Sequence, residues 1–301
     1  MPEKYTFTIL GGDQRQAVVT KELSTLGHSV RVFGVGDLNT DIDGIEIKLS
    51  LKKAIIGCDA VILPLPVSRD GETLNMSSVE KKDRPKLREI IKDIAKCKNA
   101  IVFGGLIPES MREYANELSV ETVDYYKSEE LQRKNALPSA EGAIMIAMEN
   151  TDTVLEGATV LVSGYGRIGR LIAEKLKKLG ANVAVAARRD EVLCEIAISG
   201  YRTVRTTNID EMSRAVRENE RIINTVPEII FAGKTLDCGK NKPLYIEIAS
   251  SPGGIDIPYA RELGYKIISA PSLPGKYAPQ SAGKYIFETI RDIMIKRGMK
   301  V

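Results

Sequence analysis

One stretch, ATVLVSGYGRIGRLIAEKLKKLGANVAVAARR (Ala158–Arg189), constrains this chain more than any other. Ala158–Ser163 is a short apolar run, as expected of a strand covered on both faces. Gly164-Tyr165-Gly166-Arg167-Ile168-Gly169 follows at once. Leu171, Ile172, Leu176 and Leu179 then recur at helical spacing, Gly180 closes the helix, and Asn182–Ala187 is a second apolar run. Strand, glycine turn, helix and strand within about thirty residues make a dinucleotide-binding unit. Gly164 turns the chain sharply, Gly166 leaves the backbone open to a pyrophosphate, and Gly169 allows close helix–strand packing. The helix N-terminus offers free N–H groups and partial positive charge to an anion. The plain alternative is a structural glycine turn, and the flanking strands and amphipathic helix favour the nucleotide.

The end of the second strand indicates which nucleotide. An NAD-specific unit carries Asp or Glu there to accept the ribose 2′-OH. In this chain the position falls at Ala187 or Arg188, and Arg188 and Arg189 stand together. A guanidinium matches a phosphate fork to fork, so the pair points to NADP over the alternative of two solvated arginines. Further on, Arg221–Pro227 has a strand pattern whose Thr225, Val226 and Pro227 would approach the nicotinamide ribose. The strand Leu244–Ala249 brings Ala249 to the same edge.

The first 130 residues alternate strand and helix five times, with strands at Tyr5–Leu10, Ser29–Phe33, Asp59–Leu63, Ala100–Phe103 and Glu121–Val123. The first strand opens on Gly11-Gly12-Asp13-Gln14-Arg15, which departs from GxGxxG but suits a small anion at a helix N-terminus. The alternative is a Gly-Gly turn with Asp13 as N-cap and Arg15 on the surface. Arg69 follows Pro64-Leu65-Pro66 at the carboxyl edge of the third of these strands. Ser139 reads as the N-cap of a long helix, where free N–H groups could hold a carboxylate and Glu141 could act on a proton; an ordinary cap on a connector is the alternative. A Pro/Gly-rich segment, Ala270–Pro279, precedes a last helix from about Gln280 to Arg297.

These patterns predict an α/β chain of two doubly wound, Rossmann-like domains joined by a long helix, with the C-terminal helix returning to the first domain. Residues 1–138 with 278–301 form the expected substrate domain, and 139–277 the connector helix and NADP domain. The substrate is expected in the cleft between them.

Composition narrows the function. A net charge of +3 over 301 residues leaves no bulk footprint for nucleic acid or a membrane surface. No stretch approaches the roughly twenty apolar residues of a span, and MPEKYTFTILGG lacks the apolar core of a signal peptide, so a cytoplasmic chain is expected. Cys58, Cys97, Cys194 and Cys238 make no CxxC pair, and His28 is the one histidine. Reduced thiols and no metal centre follow, and the usual His–acid pair of 2-hydroxy-acid dehydrogenases is missing.

ILGGDQRQ, PSAEGA, GYGRIGR with the following arginines, INTVP, IASSPGGID and APSLPGKYAP occur in that order. Together they resemble the A subunits of dipicolinate synthase over nearly the whole chain, and GGDQR and LPGKYAP are the specific parts. The fingerprint alone is shared with S-adenosylhomocysteine hydrolases and alanine dehydrogenases. The resemblance implies NADP-linked oxidation of a dihydrodipicolinate-type ring to pyridine-2,6-dicarboxylate in the mother cell of a sporulating bacterium. It also implies that the partner is a flavoprotein-like B subunit, and a homo-oligomer is expected. A diacid substrate calls for cations, and Arg15, Arg69, Lys276 and Lys284 are candidates, with Ser139 beside them. Asp13, Glu141, Lys276 or water could accept the proton. If the substrate enters as the hydroxylated tetrahydro form, dehydration precedes oxidation. The other readings are an NADP-dependent dehydrogenase of an open-chain amino or hydroxy acid, and an NADP-sensing subunit that transfers no hydride.

Overall fold

In the computed structural model, residues 4–36, 44–77, 79–237 and 242–301 are described; Cys238 lies outside them. Contacts divide the chain into Met1–Asn135 with Ala278–Val301, and Ala136–Tyr277.

The first unit holds a six-stranded parallel sheet of β1 (Thr6–Leu10), β2 (Ser29–Phe33), β3 (Ile45–Ile47), β4 (Ala60–Ile62), β5 (Ile101–Gly104) and β6 (Glu121–Asp124), in the order 3-2-1-4-5-6. Its central strands β1, β4 and β5 are buried on both faces because helices cover both. On one face Leu10, Val61, Leu63 and Val102 meet Ile90 and Ile91 of the helix Leu87–Ile94. On the other, Phe7, Ile9 and Ile62 meet Val19 and Leu23 of the helix Gln14–Thr25 and Ile286 and Ile290 of the helix Pro279–Lys296. Each such buried side chain contributes about 1.5–3 kcal/mol. The last helix lies close on the first, since a Cβ on Gly283 would stand 2.7 Å from the Arg15 carbonyl oxygen. The C-terminal helix thus returns to the first domain.

The second unit repeats the plan with β7 (Thr159–Ser163), β8 (Asn182–Ala187), β9 (Arg202–Arg205), β10 (Arg221–Asn224), β11 (Leu244–Glu247) and β12 (Ile267–Ser269), ordered 12-11-10-7-8-9. Val160, Val162, Ile223 and Ile246 pack with Ile172 and Leu176 of the helix Arg167–Lys178 and with Ala143 and Ala147. Leu161, Ile222 and Tyr245 pack with Met212 and Val216 on the opposite face.

Two local expectations are corrected. The first sheet gains β3, a three-residue edge strand beyond the five anticipated. The connector helix spans Glu129–Glu149, so Ser139 is an interior, buried residue and not the helix cap. The N-terminal cap is Ser128, whose hydroxyl accepts the Leu131 N–H at 3.3 Å, and Glu129 and Glu130 suit the positive end of the dipole. Pro138 sits inside the helix, at the cost of one backbone hydrogen bond.

Cys58, Cys97 and Cys194 are free thiols. Burial, with the neighbouring Cys97 adding to it, pushes the Cys58 thiol up to about 12, so it serves as core filler. Among the described residues no helix is long and apolar enough to cross a membrane, and no three His, Cys, Asp or Glu side chains gather as a metal site.

Candidate functional site

In the second sheet, β7 and β10 are neighbours whose crossovers leave in opposite directions, and ligands of open α/β sheets bind at that switch point. The fingerprint lies there. Gly164 has φ +91°, and a Cβ on it would meet the Thr225 hydroxyl at 2.3 Å. That hydroxyl donates to the Ser163 carbonyl at 2.8 Å, so Thr225 closes the turn from behind. A Cβ on Gly169 would stand 2.1 Å from the Gly164 carbonyl oxygen, which is the close helix–strand approach expected of this glycine. A Cβ on Gly166 would instead project into open space. The backbone is therefore bare where a pyrophosphate must come near, and the first turn of the following helix holds no acid to repel it. The site fits a dinucleotide.

A cavity of about 520 Å³ opens beside this cradle. Of the sequence candidates it brings together Gly164, Tyr165, Gly166, Arg188, Arg189 and Val226. Arg167, Ile168, Gly169, Thr225, Pro227 and Ala249 do not line it, and they lie on the fingerprint helix or at the ends of β10 and β11. The Arg170 guanidinium stacks 4.4 Å over the Tyr165 ring, which holds the loop in place. Arg188 is exposed, and its Nη1 donates to Glu228 at 3.3 Å. Arg205, at the end of β9, pairs with Asp190 at 2.6 Å, so a third guanidinium stands nearby in the chain's fold.

Thr206 and Thr207 also line the cavity, and the sequence reading missed them. The available signal was their place directly after a strand of a parallel sheet. Val192, Ile209 and Ile229 supply an apolar wall suited to an adenine face.

A second feature missed from sequence is a polar network across three strand ends. Ser163 donates to Asn224 Oδ1 at 2.6 Å, and Asn224 Nδ2 donates to Glu247 Oε1 at 2.8 Å and to the Val226 carbonyl at 2.9 Å. The buried Glu247 carboxylate also accepts the N–H of Ala249 (3.0 Å) and of Gly254 (2.8 Å), and the Tyr245 hydroxyl (3.2 Å). Four donors satisfy an acceptor-only group without a cation. Burial, and then the Glu247 charge, raise the Tyr245 pKa far above its ordinary value. The network fixes the loops after β10 and β11.

The matching edge of the first sheet carries Asp13, Arg15 and Arg69. Gly11 and Gly12 have φ +64° and +93°, and Asp13 caps the helix Gln14–Thr25 by accepting the Arg15 N–H at 3.1 Å. Arg15 is not on the surface: it is 5% exposed, its Nε and Nη2 donate to the Asp13 carboxylate at 2.9 and 2.8 Å, and Nη2 donates to the Leu65 carbonyl at 2.6 Å. Arg69 is exposed, and its Nε donates to Asn75 Oδ1 at 3.3 Å. The Asn75 carbonyl in turn accepts the Gly12 N–H at 2.8 Å. The Thr73 N–H, and then that of Glu72, hold the Asp70 carboxyl well below the usual carboxylate range and shape the loop that bears Arg69.

The remaining candidates lie elsewhere. Glu141 pairs with Lys175 at 2.9 Å on an exposed helix face of the second unit. Lys276 is exposed in the short helix Leu273–Tyr277, which packs against the connector helix at Gly142. Lys284 is exposed on the C-terminal helix.

Residues 6–126 match the family of N-terminal domains of the dipicolinate synthase A chain. The dipicolinate synthase A chain of Bacillus subtilis (strain 168) is 29% identical over 287 residues, 95% of this chain and 94% of the relative. The crystal structure of the dipicolinate synthase A chain from Bacillus halodurans has a TM-score of 0.83 at 27% identity, covering 96% of this chain and 97% of that one. A transhydrogenase from Sinorhizobium meliloti, 14% identical with a TM-score of 0.68 over 98% of this chain and 95% of its own, shares the fold.

Proposed function

We propose, from the premise that this chain resembles the A chain of dipicolinate synthase along nearly its whole length, that it is the dehydrogenase component of a two-subunit synthase in a sporulating bacterium. The reaction is NADP-linked oxidation of a dihydrodipicolinate-type ring diacid to pyridine-2,6-dicarboxylate. The observation that carries this reading is the bare Gly166 backbone opening on a cavity lined by Arg188 and Arg189.

NADP, when bound, supplies the nicotinamide that accepts the hydride. Gly164, Gly166 and the helix N-terminus at Arg167 hold its pyrophosphate, with Ile168 and Gly169 setting that helix against the strand. Arg188 and Arg189 take the 2′-phosphate, with Thr206 and Thr207 beside them. The Ser163–Asn224–Glu247 network keeps Thr225, Val226, Pro227 and Ala249 in place at the nicotinamide end. Arg15 and Arg69 bind substrate carboxylates at the first sheet's edge, and Lys276, Lys284 and Ser139 are the other candidates, each to be tested by substitution. Asp13, with a side chain 32% exposed at that edge, takes the ring proton. Glu141, paired with Lys175, and Lys276 are the other acceptors to test. Aromatisation of the ring drives the reaction forward.

The test is NADPH formation from the dihydropyridine diacid by the purified chain, first without and then with the flavoprotein-like partner. Dipicolinate is read by its ultraviolet absorbance and calcium chelation. No NADPH under either condition, with NADP demonstrably bound, would leave nucleotide sensing as the better description.

A further inference from the structure

The edge of the first sheet holds a polar side chain that neither the fold nor the cap explains. Gln16 lies in the first turn of the helix Gln14–Thr25 and is 2% exposed, yet neither Nε2 nor Oε1 has a hydrogen-bond partner. Buried amides almost always find partners, and leaving both ends of one unmet is costly. An apolar side chain of that length would fill the same space at lower cost.

The surroundings show where the amide is lodged. A Cβ on Gly12 would fall 2.4 Å from Gln16 Cγ and 3.1 Å from Pro64 Cβ. Gln16 Cγ therefore packs over Gly12, next to Pro64, at the crevice where β1 and β4 diverge. This crevice is the switch point of the first sheet, as β7 and β10 form that of the second. Gln16 follows Arg15 directly in sequence, and Arg15 Nη1 has no hydrogen-bond partner among the described residues. A guanidinium N–H, an amide N–H and an amide oxygen thus remain for a ligand at one sheet edge.

The geometry points to Gln16 as a substrate-binding residue, its amide hydrogen-bonding the ring diacid at the carboxyl edge where β1 and β4 diverge, the same sheet edge that carries the Arg15 guanidinium. Nε2 donates to a carboxylate oxygen, the group that the dihydro ring and dipicolinate share. The assignment rests on the diacid reading of this site and adds the residue that orients the ring. It also gives Gly12 a reason: a side chain there would push the amide out of the crevice.

Gln16→Met keeps length and volume and removes both polar atoms. In the full chain, the KM for the diacid should rise at least tenfold with the NADP Kd unchanged and the melting temperature equal or higher. A residue of purely structural worth would move the melting temperature and leave KM alone. Gln16→Glu, which adds a negative charge facing the diacid, should raise KM further. Calorimetric titration with dipicolinate reads the same site without turnover. A wild-type chain that binds dipicolinate but reduces no NADP, alone or with its partner, would overturn the dehydrogenase reading and leave Gln16 in place if Gln16→Met binds it at least tenfold more weakly. Equal dipicolinate binding or equal KM in Gln16→Met and wild type would overturn the assignment of Gln16. Absence of dipicolinate binding by the wild type, together with no NADPH formation with or without the partner, would overturn both.

Discussion

Glu247→Gln is a change of one atom in a site with no spare acceptor. Oε1 serves Asn224 Nδ2 and the Ala249 N–H, and Oε2 serves the Gly254 N–H and the Tyr245 hydroxyl. An amide nitrogen at Oε1 would confront two N–H donors. Placed at Oε2 it confronts one, because the Tyr245 hydroxyl can turn and accept. The better orientation thus leaves the buried Gly254 N–H unmet, which costs about 1–3 kcal/mol. For a unit of this size a loss near 2 kcal/mol lowers the melting temperature by roughly 4–8 °C. The loop Ala249–Gly254 lies at the nucleotide edge, so NADP should also bind more weakly. Thermal unfolding with and without NADP reads both effects. A Glu247→Gln chain that melts within about 1 °C of wild type would show that the four bonds do not constrain the loop.

Three further perturbations address the cofactor site and the core. Replacing Arg188 and Arg189 with Asp and Ser should weaken NADP binding by about tenfold to a hundredfold, the lower range for charge-assisted bonds from exposed arginines, and leave NAD binding nearly unchanged; an unaltered NADP/NAD ratio in titration would refute the phosphate assignment. Gly166→Val and Gly169→Ala should separate binding from folding. The first side chain enters open space and should abolish nucleotide binding at an unchanged melting temperature, whereas the second meets the Gly164 carbonyl at 2.1 Å and should also destabilise the fold by about 1–3 kcal/mol. Equal melting temperatures for the two variants would contradict the packing argument. Burial lowers the His28 pKa below its ordinary 6.5, so the unfolded chain binds the extra proton just below that pH. Stability is then full above about 6.5 and is lost as pH falls through the window down to the folded-state pKa. As His28 is the chain's one histidine, His28→Leu should flatten the stability profile between about pH 5 and 7, and a slope equal to wild type would show that His28 does not titrate there.

Local patterns were legible where they involve neighbours in sequence. The run from Ala158 to Arg189 declares β7, its helix and β8, because glycine spacing and helical periodicity are properties of adjacent residues. The connector helix was misread because Ser139 after Pro138 imitates a helix start, while the true start, Ser128-Glu129-Glu130, lies ten residues earlier in a charged stretch. The burial of Arg15 is not legible in the sequence, because nothing local announces its bond to the Leu65 carbonyl, fifty residues away. The Ser163–Asn224–Glu247 network was invisible for the same reason, since its members come from three strands joined only by folding. β3 offers too few residues for a period-2 pattern to emerge.

The return of Ala278–Val301 to the first unit has a consequence for how the molecule is made. The second unit is one continuous stretch, Ala136–Tyr277, whereas the first is closed by a segment made only after that whole stretch. The first half waits for the final helix to cover Val18 on its opening helix. A message cut short after Tyr277 would release a chain with one finished domain and one permanently bare hydrophobic flank, which is the kind of product that chaperones and proteases remove.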